Sequence, residues 1–587
     1  MIDADVRSRR FAMCEACCRP APQPRLSRSR FLALVGLTAT GGLLGSGCAP
    51  QSPGGPRPPA GPTLIDNVKG ITLTADGTRE FTNLLVGPDG RVAGLDVANA
   101  GGATRVDGKG RVVIPGLHDA HGHFGGLGAN TTQLDLAGTR SLEEAMRALR
   151  AHAEQNPDKR WITGRGWNDV VWGLGRLPGA ADLDAVVADR PVWLVRVDGH
   201  AGVANTAALR EAGVGAATPT PPGGEIVRGA DGAPTGALVD AAQDLVERHL
   251  PQPTTEDLRR RFLAAQSKLH EVGLTGISDA GTGAAELAVL HGLAASGELT
   301  IRTNSFLTWD AFAEIGADAR RDSVAGDVLR VGTVKLYVDG ALGSHGAALL
   351  RPYADDPGNS GLPQMDAAEL GRRVTAVMRA GYQVATHAIG DAGNRMVLDA
   401  YEAALAATGN RMRHRVEHAQ VMSTSDIPRL RRLGVIASMQ PVHATDDMNM
   451  AESRIGLERM AGAYAWRAIL DQGITIASGS DFPVSSHNPF DGLHAAVTRT
   501  DREGRPHGGW YAEQAMTPVE ALRTFTGDAV FAAHQERVLG TLEPGRWADF
   551  VVLDQDPLQP PAGRHRWQTR VLQTWVAGRR VGEYGEF

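Results

Sequence analysis

The sequence predicts an α/β fold: a (β/α)₈ TIM-like barrel, a small β-sandwich domain built from both ends of the mature chain, and an inserted β-rich subdomain. Strand-like apolar runs alternate with helical stretches along the middle of the chain, which is the order of a parallel barrel. Candidate metal ligands close several of these runs, and barrels gather their active residues at the carboxyl ends of their strands. The eight predicted strands are Val112–Leu117, Thr275–Asp279, Thr300–Leu307, Val331–Asp339, Gln383–His387, His414–His418, Val435–Gln440 and Thr475–Ser480.

Both ends of the mature chain read as short strands separated by turn signals, with Gly87-Pro-Asp-Gly90 as a hairpin turn. Neither end is long enough to form a stable sheet alone, so we expect them to pair in one β-sandwich domain. That domain would comprise residues 63–115 and 536–587, leaving 116–535 for the barrel. The strand-like segments are Leu64–Leu73, Asn83–Val86, Arg91–Leu95, Ala548–Leu553 and Val571–Val576.

The connection between the first two predicted barrel strands is too long for a loop. It runs over about 150 residues, whereas most connections take only a few. We therefore predict an insertion at about 125–262, which Trp161–Trp167 and Val192–Val197 make β-rich. An insertion after the first strand would lie over the active mouth and could select substrate. A packing or oligomer-forming element is the open alternative.

Residues 1–48 have the order of an export signal: a positive region, a short apolar run and small residues. The apolar run, 31–44, is shorter than the roughly 20 residues that span a bilayer. Gly45-Ser-Gly-Cys48 resembles a bacterial lipoprotein cleavage box, and residues 49–62 form a tether rich in proline and glycine. We expect a periplasmic or otherwise extracytoplasmic protein, with a lipid on Cys48 as its membrane attachment.

Composition excludes several functional classes. The 587 residues carry a net charge of −6, with no basic footprint for nucleic acid. All four cysteines lie in the first 48 residues, so the rest of the chain has no disulfide, thiolate zinc site or cysteine nucleophile.

The segment Val112–His123 ends in two histidines one residue apart, His121 and His123. Side chains at i and i+2 of a strand point to the same face, so both imidazoles can approach one ion.

Further candidate ligands follow one at a time, each in or closing an apolar run. Lysine is rare here, with five among 60 basic residues, so a lysine inside an apolar strand requires an explanation; the alternative is an ion-paired or snorkelling side chain. The later candidates are Lys335, His387, His418 and Asp481, and the set predicts a metal-dependent hydrolase.

From about residue 63 to its end, the chain resembles the amidohydrolase superfamily, specifically amidohydrolase family 3 and its N-substituted formamide deformylase-like branch. His345 departs from this pattern, because the branch more often has arginine there. The motifs that carry the resemblance are Ile114-Pro-Gly-Leu-His-Asp-Ala-His-Gly-His123, Gly164-Arg-Gly-Trp167, Asp198-Gly-His200, Lys335-Leu-Tyr-Val-Asp-Gly-Ala-Leu-Gly343, His387-Ala-Ile-Gly-Asp391, Glu417-His418-Ala-Gln420, Met439-Gln-Pro-Val-His443, Gly479-Ser-Asp481-Phe-Pro483 and Gly545-Arg-Trp-Ala-Asp549.

The resemblance implies one or two divalent ions, with zinc the expected metal. His121 and His123 would hold one ion, and His387 and His418 the other. A CO₂-derived carbamate on Lys335 would bridge them, a role that arginine cannot take because it stays protonated. Asp481, also a metal ligand, would take a proton from the activated water and pass it to the leaving amine.

Three further histidines are candidates for substrate binding: His443, His200 and His345. The expected reaction is hydrolysis of a C–N bond, other than a peptide bond, in a small-molecule amide. Two alternatives stay open, a cyclic-amide or ester hydrolase on the same scaffold and a surface lipoprotein that binds metal or ligand without turnover. The sequence leaves the substrate and the oligomeric state open, and function cannot be inherited from a fold.

Overall fold

The computed structural model describes residues 61–585 apart from 137, 170, 197–200, 222–223, 241, 344 and 362. The predicted export signal with Cys48, all but the last two residues of the tether, and His200 lie outside the described residues. The fold class is confirmed, because the described residues form an eight-stranded parallel sheet with intervening helices and, in addition, three other β-sheets.

The eight barrel strands pair in parallel with their neighbours in chain order. All eight are buried except at single positions, as expected for strands covered on both faces. Arg321–Val324 adds an antiparallel edge to the fourth strand. The barrel strands are Leu117–Gly122, Leu274–Thr282, Arg302–Leu307, Leu329–Tyr337, Gln383–Ala388, Arg415–His418, Ile436–Met439 and Ile476–Ser478.

The predicted first barrel strand, Val112–Leu117, was wrong. Val112–Pro115 pairs antiparallel with Phe550–Leu553 in the sandwich domain, and the barrel strand begins at Leu117. One continuous apolar run thus contributes strands to two different sheets. Apolarity alone does not show with which strand each part of the run pairs. The change of sheet falls at Gly116, where a Cβ atom would lie 2.1 Å from Oγ1 of Thr275, so a side chain there would clash.

Contacts after the last strand connect it to the first. The buried Asp119 carboxylate accepts hydrogen bonds from the backbone N–H of His121 (2.9 Å) and from Oγ of Ser480 (2.7 Å). The backbone N–H of Asp481 donates to the carbonyl of His121 at 2.7 Å. A Cβ atom at Gly479 would lie 2.4 Å from the His121 nitrogen, so only glycine allows this approach. These contacts hold Asp481 beside the first strand.

Strands from both ends of the chain form a two-sheet β-sandwich. Apolar side chains of both sheets, among them Ile65, Val86, Val113 and Phe550, share one buried cluster. The predicted strand Leu64–Leu73 is two strands, one in each sheet. In spatial order, one sheet contains Val92–Leu95, Leu84–Val86, Thr63–Asp66 and Thr104–Asp107, and the other Arg579–Glu583, Val571–Val576, Phe550–Leu553, Val112–Pro115, Lys69–Thr74 and Gly77–Phe81.

A buried ion pair joins the barrel to the sandwich at the amino end of the third barrel strand. Arg302 donates from Nε to Oδ2 of Asp549 at 2.6 Å and from Nη2 to Oδ1 at 2.9 Å. Nη1 of Arg302 donates to the Gly326 carbonyl, and the backbone N–H of Ala577 donates to Oδ1 of Asp549. Arg302 is 0% exposed and Asp549 6% exposed, and we call them the floor pair.

Residues Gly126–Asp257 form a compact unit of their own. Its mixed sheet buries Leu134, Ile162, Val192 and Leu194 in one apolar cluster that also contains Leu149 of a helix. In spatial order the strands are Gly224–Arg228, Pro234–Asp240, Ala201–Ala204, Val192–Arg196, Ile162–Trp167 and Leu134–Asp135.

Several helices begin or end at residues that capping chemistry favours. The Ser141 hydroxyl accepts from the backbone N–H of Glu144, and Gly297 and Gly434 end helices in the left-handed conformation. None of the helices among the described residues is long and apolar enough to cross a membrane. The α-helices are Phe124–Thr132, Leu142–Gln155, Ala180–Asp184, Thr206–Glu211, Asp244–Glu247, Thr255–Glu271, Ala284–Ser296, Trp309–Ala319, Ala367–Arg379, Asp391–Thr408, Ile427–Leu433, Pro441–Asp447, Ala451–Ile455, Trp466–Leu470, Pro489–Thr498, Pro518–Thr524 and Gly527–Ala532; the 3₁₀ helices are Leu457–Gly462, Ala512–Gln514 and Arg566–Gln568.

Candidate metal centre

Histidines and one aspartate meet at the carboxyl ends of the barrel strands. Each comes from a strand end or from the segment that follows it, so the parallel topology brings together residues far apart in sequence. We call them the mouth cluster: His121, His123, His387, His418, His443 and Asp481.

Asp481 lies between two groups of possible ligands. Its Oδ1 is 3.0 Å from Nε2 of His123 and 3.5 Å from Nε2 of His121. Its Oδ2 is 3.9 Å from Nε2 of His443. Within each group, His121–His123–Asp481 and His418–His443–Asp481, the ligand atoms lie within 4.8 Å of one another. The carboxylate can therefore contribute to either group.

His387 lies next to these groups and belongs to neither. Its ring centroid is 4.5 Å from that of His418, whose ring is stacked at 6.0 Å on that of His443. The structure therefore places His443, predicted as a substrate contact, at ligand distance from Asp481. His387 and His418, predicted to hold one ion together, are neighbours.

Lys335 is buried in the fourth barrel strand, 1% exposed, and points into the cluster. Its Nζ lies 3.2 Å from Nε2 of His121 and 4.7 Å from the ring centroid of Tyr337, the next residue on the same face. The structure thus brings Lys335 together with the predicted ligands.

A side-chain oxygen lies near one ring nitrogen of each of three site histidines, and the residue that provides it differs in each case. Oε2 of Glu417 is 2.5 Å from Nδ1 of His121, and Oε1 of Gln440 is 2.8 Å from Nδ1 of His418. Oδ1 of Asp339 lies 3.5 Å from Nε2 of His387 without a hydrogen bond to it, and accepts instead from the backbone N–H of Ile389. For His121 and His418, the partner on Nδ1 fixes the tautomer and the ring orientation, and leaves Nε2 to bind an ion.

Burial keeps these imidazoles neutral at pH 7. It lowers the pKa of His121 to about 4 and that of His387 to about 3, with Lys335 contributing to both shifts. Burial also lowers the pKa of His418 well below its usual value. Metal ligation requires the neutral imidazole, so the site holds its histidines in the binding form.

For the Asp481 carboxyl group, neighbouring side chains affect the pKa more than burial does. Burial raises the pKa of its carboxyl group, but His123, His121 and His418 outweigh burial and hold that pKa well below the usual range. The carboxylate is therefore ionised near pH 7, the form in which it can bind an ion.

Two members of the mouth cluster have strained backbones. His418 has φ 73° and Asp481 has φ 59°, in the left-handed region that residues other than glycine seldom adopt. Such conformations cost about 1–3 kcal/mol each and are concentrated at functional sites. Both strained residues are thus candidate metal ligands.

The other two predicted substrate-binding residues are not brought into the described cluster. Nε2 of His345 lies 3.1 Å from Oδ1 of Asp355 and 2.9 Å from Nη1 of Arg454, so the structure places it in a polar network. His200 lies outside the described residues.

The residues present fit a divalent cation. The donors are neutral imidazoles and a carboxylate, the ligands that zinc and related ions prefer. Among the residues that the structure describes, Nε2 of His387 and Nε2 of His443 are buried and have no hydrogen-bond partner. Buried nitrogen atoms without partners cost free energy unless something binds them. A barrel with this cluster at its strand ends has the architecture of a metal-dependent hydrolase.

Sequence reasoning quoted Glu417, Gln440 and Asp339 within motifs but assigned them no role. One signal was available for Glu417. In the buried strand Arg415–His418, Arg415 and Glu417 are two residues apart, and charges on one face of a buried strand must be paired.

Comparison with known proteins agrees with this architecture. A model of the amidohydrolase family matches residues 104–582. The chain is 34% identical to the amidohydrolase YtcJ of Bacillus subtilis over 81% of this chain and 90% of that protein. It is 29% identical to the N-substituted formamide deformylase of Arthrobacter pascens over 84% of this chain and 92% of that protein.

Among solved structures, a metal-dependent hydrolase from Pyrococcus horikoshii superposes with a TM-score of 0.73 at 27% identity. The match covers 86% of this chain and 99% of that one. The chain therefore belongs to the amidohydrolase family, as its sequence motifs predicted. It is a metal-dependent hydrolase by family and by fold.

Proposed function

We propose that the chain hydrolyses a C–N bond, other than a peptide bond, in a small-molecule amide such as an N-formyl or N-acyl amine. The observation that carries this proposal is Asp481, a buried carboxylate reaching ligand groups on both sides. A protein that only binds metal needs no such proton acceptor. The name of the Arthrobacter pascens relative, a formamide deformylase, supports this class of substrate.

We propose that His121 and His123 hold one ion and that His387 and His418 hold the other, with His443 close enough to His418 and Asp481 to join them. When bound, divalent ions, of which zinc suits these donors best, supply the Lewis acidity that activates a water and polarises the substrate carbonyl. Lys335 would carry a carbamate, formed when its neutral amine bonds to the carbon of CO₂ and releases a proton. Its place 3.2 Å from His121 supports that role.

Asp481 would move the proton. Its carboxylate accepts a proton from the attacking water as the new C–O bond forms at the substrate carbonyl. It then donates that proton to the nitrogen of the leaving amine as the C–N bond breaks, which yields a carboxylic acid and an amine. The hydrogen bond from the backbone N–H of Asp481 to the His121 carbonyl holds it in place for both transfers.

A substrate panel tests the proposal. Zinc-reconstituted protein is assayed on N-formyl amines, N-acyl amines, cyclic amides and esters, before and after chelation. We expect turnover of at least one N-formyl or N-acyl amine, lost on chelation and lowered about 10²- to 10⁴-fold by Asp481→Asn. The matched control is Asp446→Asn, an exposed aspartate that accepts from Oγ of Ser485. Turnover confined to esters or cyclic amides would replace the substrate class, and no turnover would contradict the proposal.

We also propose export, with lipid attachment at Cys48. The support is the order of residues 1–48 and the tether that follows. Membrane fractions of producing cells should contain the protein, and Cys48→Ala should move it to the soluble extracytoplasmic fraction. Retention of the unprocessed chain in the cytoplasm would contradict export.

A further inference from the structure

The imidazoles of His121 and His418 differ in the group that faces their Nδ1 atoms. The acceptor behind His121 is a carboxylate, Glu417, whereas the one behind His418 is the neutral amide of Gln440. His121 and Glu417 are both fully buried. The proposed function does not use Glu417, which contacts His121 but is not itself a member of the mouth cluster.

Glu417 is itself held by a buried arginine. Nε of Arg415 donates to Oε1 of Glu417 at 2.5 Å, and Nη2 donates to Oε2 at 3.0 Å. Two hydrogen bonds from one guanidinium to the two oxygens of one carboxylate are the geometry of a charged pair. Glu417 is therefore a charged acceptor in a site that excludes water.

Arg415 in turn connects three barrel strands. Its Nη2 donates to the Ala120 carbonyl of the first strand at 2.7 Å and to Oγ of Ser438 on the seventh at 2.6 Å. Its guanidinium carbon lies 4.9 Å from the ring centroid of Phe306. The carboxylate that faces His121 is thus fixed from several sides, and its position follows that of the barrel strands.

We propose that the Arg415–Glu417 pair is the positioning device for His121. Glu417 accepts the Nδ1 hydrogen of His121, which sets the tautomer and turns Nε2 toward Lys335 and Asp481. A carboxylate behind a ligating histidine also makes it a stronger donor to an ion than an amide does. The ion held by His121 is therefore bound more tightly because of Glu417. This inference rests on the proposed metal site.

The test measures metal affinity instead of turnover. Zinc affinity is measured by competition with a chromophoric chelator, and the Co²⁺-loaded protein gives an absorption spectrum that reports ligand geometry. Glu417→Gln keeps the shape of the side chain and removes its charge. We expect about 10- to 100-fold weaker zinc binding, as is typical when a partner of a ligating histidine is changed, with a changed cobalt spectrum.

Glu417→Gln alone leaves the buried Arg415 without its carboxylate, which can prevent folding. The double variant Arg415→Met/Glu417→Gln removes both charges at similar volume. It should fold and show the same weakened zinc binding, whereas Arg415→Met alone should weaken binding by a smaller factor because Glu417 still faces His121. Glu402→Gln, a surface change that removes the ion pairs with Arg429 and Arg432, is the control and should bind zinc as the parent does.

The outcomes separate the inference from the proposed function. If the folded double variant binds zinc as tightly as the parent with an unchanged cobalt spectrum, Glu417 does not position His121. If the parent protein binds no divalent ion, the proposed metal site fails and the inference fails with it. The assignment would also be overturned if Arg415→Met weakened zinc binding and Glu417→Gln did not. That result would show that the barrel had loosened generally.

Discussion

The floor pair and the mouth cluster are both buried and polar, yet they are built differently. In the floor pair, the Arg302 guanidinium makes two hydrogen bonds to Asp549 and a third to a carbonyl. In the mouth cluster, Nε2 of His387 and of His443 find no hydrogen-bond partner among the described residues. The backbones of two mouth residues are also in the left-handed region. The floor pair satisfies its charged groups, whereas two imidazoles of the mouth cluster have nitrogen atoms without a hydrogen-bond partner among the described residues.

This difference indicates that the floor pair contributes to stability and the mouth cluster to function. A buried ion pair is destabilising to break, because the remaining charge stays buried without a partner. Buried nitrogen atoms and strained backbones lower stability, and proteins keep them where chemistry requires them. We therefore expect changes at the floor to alter folding and leave metal binding intact, and changes at the mouth to do the reverse.

The largest effect on stability is expected at the floor. Asp549→Asn leaves the fully buried Arg302 charge without a carboxylate and should lower the free energy of unfolding by about 3–5 kcal/mol. Urea unfolding monitored by circular dichroism measures this. Zinc bound per folded chain should not change.

The double variant Arg302→Met/Asp549→Asn is the control at the floor. It removes the buried charge together with its partner, so it should recover part of the lost stability. A single variant as stable as the parent would show that the pair does not hold the sandwich on the barrel.

A smaller effect is expected when metal is removed from the mouth. An ion that binds only the folded protein stabilises it by about 2.7 kcal/mol when its free concentration is a hundred times its Kd. Chelation should therefore lower the thermal midpoint of the parent and of the floor variant by similar amounts. A midpoint independent of zinc concentration would contradict binding to the folded mouth.

The smallest effect is expected at a surface pair, Arg467–Glu520. Arg467 donates to Glu520 and lowers the pKa of that carboxyl from 4.5 to about 2. Since the folded pKa is depressed, the stabilisation is present above about pH 4.5 and is lost as the pH falls through about 2. Pairs near the surface contribute at most about 1 kcal/mol, so Glu520→Gln should lower the free energy of unfolding at pH 7 by no more than about 1 kcal/mol and should change nothing below about pH 2, where the parent carboxyl is protonated as well. A large loss of stability at pH 7 would show a role beyond the surface pair.

Much of the fold could be predicted from periodicity. Seven of the eight predicted barrel strands coincide with observed strands to within a few residues, because each is a short apolar run at barrel spacing. The error at Val112–Leu117 arose because pairing partners are set by the whole fold and not by local apolarity. For the same reason the sequence did not show that Leu64–Leu73 divides between two sheets.

The candidate site was predictable where a residue type is chemically rare. A histidine pair at a strand end, and a lysine in an apolar strand, indicate ligands on chemical grounds, and the structure brings His121, His123 and Lys335 together. The partners behind the ligands were not identified, because Glu417 and Gln440 act through contacts across strands. Such contacts depend on register, which a single sequence does not reveal.

Elemental analysis of metal per chain after reconstitution with zinc is the most direct test of the metal site at the barrel mouth. The parent is compared with His121→Ala/His123→Ala and with His249→Ala/His507→Ala, a control that removes two exposed histidines. We predict one or two ions per chain in the parent and the control, and at least one fewer in the mouth variant. A parent without zinc, or a mouth variant with the parent's full content, would contradict this prediction.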